Sequence, residues 1–274
     1  MNEPLSHFTG SSPRLHFLEW NPGAPRTIVL LHGNSANAWW WQPLAAAMRG
    51  EDFRLLALDQ RGHGDSEWIR PPAYGPLEYA HDLWRFIAEC VPPRPIVVGH
   101  SMGGIGVITF AAEYPGAARA IVAIDAALTS SDRRNRYLQR LKGLPIVAYP
   151  DLPTALARFR LMPKEGKIAP RTLKMIAEKS LEKTSEGGWT MKFDRESFLG
   201  SDGIDVLAAV ARIRDPLLLV RAGESRIMTA EAAVRAADSN PMATLVTIVG
   251  AHHHVILEQP AMVARAIEKF IAAV

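Results

Sequence analysis

Six short runs rich in Val, Ile and Leu recur along the chain, and most precede a turn and a stretch with helical periodicity. The runs lie at residues 27–31, 53–58, 95–98, 120–124, 216–220 and 244–249. Continuous apolar runs of this length indicate strands that are covered on both faces. The amphipathic segments 77–91 and 102–114 are long enough to be crossover helices between parallel strands. The pattern predicts an α/β fold with a doubly wound, mostly parallel sheet.

One interval in this alternation, between residues 124 and 216, is far longer than the others. Residues 129–200 carry 15 Lys or Arg and 8 Asp or Glu, a net charge of +7, whereas the whole chain has a net charge of +3. An inserted lobe explains both differences. We therefore expect an α/β core of residues 1–127 and 204–274 and a mostly helical cap over residues 128–203. Residues 14–20 predict an antiparallel strand at the start of the sheet.

Composition limits the classes of partner. The basic residues form no block interleaved with aromatic side chains, so nucleic acid is not an expected partner. No stretch approaches the ~18 consecutive apolar residues of a membrane span, and membrane association is not expected. Cys90 is the single cysteine, and residues 1–14 lack the pattern of a secretory signal, so we expect a cytoplasmic protein. It is expected to be a monomer or a homodimer.

The strongest chemical signal is the sequence G-H-S-M-G at residues 99–103, between an apolar run and a helical segment. In a nucleophile elbow of this kind the serine, here Ser101, lies on a strained turn between strand and helix. Small residues two positions away on each side let the strand and the helix approach, and Gly99 and Gly103 meet that need. A serine hydroxyl needs a base to remove its proton, and a third group to orient that base. Three consecutive histidines, at residues 252–254, follow the last apolar run and are candidates for the base.

With these features the chain resembles the α/β-hydrolase superfamily over residues 14–127 and 205–274. Residues 32–34 read H-G-N where that family has its oxyanion loop, and residues 59–66 read D-Q-R-G-H-G-D-S, similar to a turn of the family. The family's C-terminal pattern, aligned on Glu258, implies that His253 is the base; His252 is the nearest alternative. The resemblance also implies that the backbone amides of Asn34 and Met102 form the oxyanion hole.

The acid is where the sequence departs from the commonest family pattern. The position after the fifth apolar run that usually holds an aspartate is Ser225, which cannot carry the negative charge. Asp125 directly follows the fourth run, and some family members resemble this chain in placing their acid there. Because carboxyl ends of neighbouring parallel strands meet at one edge, Asp125 can reach the same histidine. Glu224 is the alternative acid, and a serine–histidine dyad or an inactive site is a third possibility.

We therefore expect a hydrolase without cofactor or metal that cleaves a carboxylic ester or lactone of a small molecule through an acyl-enzyme on Ser101. A C–C bond or amide hydrolase of a catabolic pathway would use the same residues, and a non-catalytic hydrolase-like binding protein is a further hypothesis. Trp39 is a candidate for substrate contact. The basic charge of the cap has two explanations: a solvated surface, or side chains that bind or attract an anionic substrate. The candidates for the second are Arg133, Arg134, Arg136, Arg140, Arg158 and Arg160.

Overall fold

A computed structural model describes residues 3–48, 52–198 and 204–274. Six of its strands coincide with the apolar runs, and all but the edge strand at residues 243–248, which is partly exposed, are largely buried. The strands are β1 (Leu5–Phe8), β2 (His16–Trp20), β3 (Arg26–Leu31), β4 (Phe53–Leu58), β5 (Ile96–His100), β6 (Ala120–Ile124), β7 (Leu181–Lys183), β8 (Trp189–Met191), β9 (Leu217–Ala222) and β10 (Ala243–Ile248).

Helices connect these strands. In the described residues they are α1 (Gln42–Ala47), α2 (Pro76–Cys90), α3 (Met102–Glu113), α4 (Asp132–Lys142), α5 (Leu152–Arg158), α6 (Pro170–Lys179), α7 (Val206–Arg212), α8 (Ala230–Asp238), α9 (Val255–Glu258) and α10 (Pro260–Ile271). Two short 3₁₀ segments, Ala38–Trp41 and Arg195–Ser197, complete the described elements. None of the helices in the described ranges is both long enough and apolar enough to cross a membrane.

Eight strands form one sheet in the order β1-β2-β4-β3-β5-β6-β9-β10. β2 pairs antiparallel with β1 and β4, and the remaining pairs are parallel, which confirms the predicted doubly wound, mostly parallel sheet. β3 lies between β4 and β5. The chain therefore runs from β3 to β4 on one side, and from β5 to β6 on the other. The carboxyl ends of β3 and β5 therefore flank the crevice at which ligands bind in open α/β sheets.

Helices cover both faces of the sheet. Alternate residues of β3 point to opposite faces, so Ile28 packs with α1 and α10 and Val29 packs with α2 and α3. Both residues are fully buried. The two hydrophobic layers hold the strand ends in fixed positions, and the loops at those ends carry the candidate site.

The stretch between β6 and α7, called the insertion below, contains helices α4 to α6 and the hairpin β7–β8 in its described part. Helices were expected in this stretch, but the hairpin was not. The stretch is bonded to the core loop that follows β4: the Gly64 amide donates to the carbonyl of Lys192 at 2.8 Å, and the Asp194 amide donates to Gly62 at 2.7 Å. The predicted end of the insertion at residue 203 lies outside the described residues.

Candidate active site

Ser101 occupies the sharp turn between β5 and α3. Its φ of 55° and ψ of −116° lie in a region that L-residues rarely adopt. The turn leaves no room for a side chain at either glycine. A Cβ added at Gly99 would overlap the backbone of Gly103, and a Cβ added at Gly103 would overlap the carbonyl of Leu31. The Ser101 amide donates to the carbonyl of Ile124 at 2.9 Å, which fixes the turn against β6. The serine side chain is thereby held at the carboxyl edge of the sheet.

Ser101, His253 and Asp125 form one hydrogen-bonded chain. The Nδ1 of His253 lies 2.7 Å from Oδ2 of Asp125, and its Nε2 lies 3.0 Å from Oγ of Ser101. Because a carboxylate only accepts, Nδ1 carries the proton and Nε2 presents its lone pair to the serine hydroxyl. Asp125 is fully buried and His253 is 4% exposed. This geometry allows the imidazole to accept the serine proton while the carboxylate orients it.

Two further donors hold the Asp125 carboxylate. Asp125 follows β6, and its amide donates to the carbonyl of Val220 at 2.8 Å. The Ser225 hydroxyl donates to Oδ2 at 2.5 Å, and the Ala222 amide donates to Oδ1 at 3.1 Å. Burial raises the pKa of Asp125, while these hydrogen bonds favour the ionised form and act in the opposite direction. Ser225, at the position where an acid is usual, thus serves Asp125 as a hydrogen-bond donor, a role that the sequence did not predict.

Burial favours the neutral form of the two histidines beside the serine, His253 and His100. Burial lowers the pKa of His253, because the charged imidazolium is poorly solvated there. His100 lies beside it, with ring centroids 4.8 Å apart, and burial likewise lowers the pKa of His100. The Nε2 of His100 donates to the carbonyl of His253 at 2.8 Å. His100, which the sequence did not single out, therefore fixes the loop that carries the base.

The alternative base and the alternative acid lie elsewhere. His252 points to Glu258, whose Oε2 accepts its amide at 2.7 Å and whose Oε1 lies 3.2 Å from its Nδ1. Glu224 is exposed, and within the described residues its carboxylate makes no hydrogen bond, while its backbone amide donates to the carbonyl of Ala251. Of the candidate pairs, the structure brings together His253 and Asp125.

A loop of the insertion, residues 163–167, crosses the histidine loop. Oε1 of Glu165 accepts the backbone N–H of His253 at 3.0 Å, and the Nε2 of His254 donates to the carbonyl of Pro163 at 2.9 Å. The position of the imidazole therefore depends on a contact from the inserted stretch as well as on the core. No motif in the sequence signalled this contact.

Asn34 and Met102 flank the serine at the carboxyl ends of β3 and β5. Within the residues that the structure describes, neither backbone amide donates to a protein group, and both residues line the cavity over Ser101. Two free N–H donors beside a nucleophile can stabilise an oxyanion. The Asn34 side chain is engaged instead, since its Nδ2 donates to the carbonyl of Ser197 at 3.1 Å.

The cavity over Ser101 has a volume of about 690 Å³, which is the size of a small-molecule site. Core and insertion both contribute to its walls. Its apolar side chains include Tyr74, Tyr79, Ile105, Leu138 and Phe198.

The structure places Trp39, the predicted substrate contact, outside the described lining of the cavity. Among the described residues that line the cavity, the tryptophan is Trp40 and not Trp39. The ammonium group of Lys179 lies over the ring of Trp39, with Nζ 3.9 Å from the ring centroid. The three tryptophans lie on a 3₁₀ turn, in which successive side chains point about 120° apart, so adjacent residues face different surroundings.

One group of side chains outside the serine site has spacing suitable for a metal ion. Donor atoms of His16, Asp59 and Asp65 lie within 4.8 Å of one another. Protein donors already occupy the Asp59 carboxylate, because Oδ2 contacts His16 Nδ1 at 2.7 Å and accepts the Asp65 amide at 2.9 Å, while Oδ1 accepts the Ala38 amide at 2.6 Å. The group reads as a hydrogen-bond network that supports the loop after β4.

A mostly parallel sheet with a serine on a strained turn after β5 is characteristic of the α/β-hydrolase fold. Sequence comparison gives the same class of protein. The profile of the Alpha/beta hydrolase family matches residues 28–266, and the chain belongs to this family of hydrolases.

The chain is similar to the 2-(acetamidomethylene)succinate hydrolase of Mesorhizobium japonicum, with 28% identity over 270 residues that cover 92% of this chain and 90% of that protein. It is also similar to Esterase Rv0045c of Mycobacterium tuberculosis, with 27% identity over 228 residues that cover 77% of this chain and 70% of that one. The crystal structure of E-2-(acetamidomethylene)succinate hydrolase superposes with a TM-score of 0.83 and 25% identity, covering 98% of this chain and 99% of that chain.

Proposed function

We propose that this protein is a serine hydrolase that cleaves a carboxylic ester or lactone of a small molecule through an acyl-enzyme on Ser101. The observation that carries the proposal is the hydrogen-bonded chain from Ser101 through His253 to Asp125 at the wall of the cavity. Similarity to a mycobacterial esterase over 77% of this chain supports the same reaction class.

In the first half-reaction, Oγ of Ser101 attacks the carbonyl carbon while Nε2 of His253 takes the serine proton. The amides of Asn34 and Met102 donate to the resulting oxyanion. Asp125 stabilises the imidazolium through the 2.7 Å contact with Nδ1. When the tetrahedral intermediate collapses, His253 gives its proton to the departing alcohol oxygen, and the acyl group remains on Ser101.

In the second half-reaction, His253 takes a proton from a water molecule as that water attacks the acyl carbon. The same two amides receive the oxyanion, and the proton returns to Oγ of Ser101 as the carboxylic acid leaves. Burial lowers the pKa of His253 and so keeps the imidazole neutral before each attack, while the Asp125 carboxylate stabilises the imidazolium once the proton has been taken. Both half-reactions use side chains, backbone amides and water.

Hydrolysis of an amide bond is the second candidate function. The observation that favours it is the similarity over 92% of this chain to an enzyme named for an acetamido substrate. Amide cleavage would follow the same steps, with His253 protonating the leaving nitrogen in place of an oxygen.

A small substrate panel tests these proposals. Wild type and Ser101→Ala would be assayed on 4-nitrophenyl acetate, 4-nitrophenyl butyrate and 2-(acetamidomethylene)succinate. The ester proposal predicts a burst of 4-nitrophenol and a Ser101 peptide whose mass is increased by the acyl group, both lost in Ser101→Ala. Turnover of the enamide alone would replace the ester proposal with the amide one. Turnover that survives in Ser101→Ala would refute both.

A further inference from the structure

The cavity next to Ser101 has a strongly one-sided charge. Among the described residues, its wall includes four basic side chains and no acidic one. None of the four makes an ion pair with a described residue. The four are Arg133, Arg134, Lys164 and Arg226. Such a wall attracts anions, and no acidic side chain among the described lining residues offsets its charge.

Arg134 is the basic residue most enclosed by protein. Its side chain is half-buried, and within the described residues the guanidinium makes one hydrogen bond, from Nη2 to the carbonyl of Thr129 at 2.9 Å. A guanidinium has five N–H donors, so most of them remain available. Burial lowers the pKa of Arg134 with no acidic partner to offset it. A partly desolvated cation without a counter-ion is costly to the folded protein alone, and a bound anion would remove that cost.

The stability of α4 does not account for this arginine. Arg133 and Arg134 lie in the first turn of the helix, where the helix dipole favours acidic side chains and disfavours cations. The neighbouring cations Arg136 and Arg140 are exposed on α4 and do not line the cavity over Ser101. Arg133 and Arg134 therefore line the cavity, whereas Arg136 and Arg140 belong to the solvated face of the same helix.

We infer that the natural substrate carries a carboxylate in addition to the bond that is cleaved, and that the guanidinium of Arg134 binds this carboxylate. The inference rests on the proposed serine hydrolase function and narrows its substrate class to acidic esters or amides. Arg133, Lys164 and Arg226 contribute a positive field around the same cavity. The other basic candidates of the insertion do not line the cavity; they are Arg136, Arg140, Arg158 and Arg160.

A pair of esters with the same shape and different charge tests the inference. 4-Nitrophenyl hydrogen adipate ends in a carboxylate, and 4-nitrophenyl 6-methylheptanoate ends in an isopropyl group of similar size. We expect wild type to favour the adipate. Arg134→Gln should lower kcat/KM for the adipate about tenfold or more, as expected for a lost charge-assisted contact, and change it less than about twofold for the neutral ester. Arg136→Gln, on the same helix, is the matched control and should behave as wild type.

A binding measurement separates failure of this inference from failure of the proposed function. Calorimetric titration of Ser101→Ala with monomethyl adipate and with methyl 6-methylheptanoate needs no turnover. We expect the acid to bind more tightly, and Arg134→Gln in the same background to remove the difference with a melting temperature equal to or higher than that of Ser101→Ala. Equal affinity for the two esters, no measurable binding of the acid, or equal effects of Arg134→Gln on both would overturn the inference. Wild type that binds the acid and turns over neither nitrophenyl ester would instead refute the ester proposal and leave the carboxylate inference standing.

Discussion

Replacement of Ser225 by alanine isolates the contribution of a residue that holds the acid. The Ser225 hydroxyl donates to Oδ2 of Asp125 at 2.5 Å, and both side chains are at most 5% exposed. Alanine removes one of three donors to the carboxylate and leaves His253 and the Ala222 amide. A hydrogen bond to a charged group contributes about 1.5–3 kcal/mol.

That contribution is largest in the transition state, where the Asp125 carboxylate must stabilise the imidazolium. At about 1.4 kcal/mol per factor of ten, the expected loss in kcat/KM for Ser225→Ala is ~10- to 100-fold. Asp125→Asn should lose about 10³- to 10⁴-fold. The hydroxyl favours ionised Asp125, so its removal raises the pKa of that carboxyl further. The loss should therefore be larger at pH 6 than at pH 8.

The assay is kcat/KM for 4-nitrophenyl butyrate at both pH values, with melting temperatures to exclude unfolding. Ser225 also accepts the Ile227 amide at 3.0 Å, so Ser225→Thr, which keeps the hydroxyl, is the control for local disruption. We expect Ser225→Thr to retain most activity. Ser225→Ala with wild-type kcat/KM at both pH values would refute the role assigned to this hydroxyl.

Two further predictions concern the base. Because burial lowers the pKa of His253 from 6.5, and the imidazole must be neutral to accept the serine proton, the acid limb of the kcat/KM profile should lie below pH 6.5; a limb at or above pH 7 would be inconsistent with this. Glu165→Ala removes the acceptor of the His253 amide. That hydrogen bond contributes about 1 kcal/mol to holding the imidazole in position, so its loss should lower kcat/KM roughly fivefold. Glu186→Ala, at an exposed position of the same insertion, is the control, and equal kinetics of the two variants would argue against a positioning role.

The parts of the site that depend on local spacing could be predicted from the sequence. A sharp turn from strand to helix needs small residues two positions before and after the serine, and Gly99 and Gly103 meet that need. Their spacing predicted that Ser101 lies at the carboxyl end of β5. Asp125 was predicted because it ends the neighbouring parallel strand. These positions follow from sheet topology, which the apolar runs indicate.

Contacts between segments that are distant in sequence could not be predicted. Ser225 reaches a carboxylate 100 residues earlier in the chain, and the sequence showed only that an acid was absent there. Glu165 lies in an insertion whose path over the histidine loop is set by tertiary packing. β1 was missed because its short, largely exposed sequence lacks the apolar run of a buried strand.

The most direct test of the central claim is the rate at which a fluorophosphonate labels Ser101, because this reaction needs a working nucleophile and no knowledge of the substrate. Wild type, Asp125→Asn and Glu224→Gln would be compared, with Ser101→Ala as the blank. The proposed triad predicts labelling at Ser101 that is ~100-fold slower or more in Asp125→Asn and unchanged in Glu224→Gln. Wild-type labelling of Asp125→Asn, or slow labelling of Glu224→Gln, would contradict Asp125 as the acid.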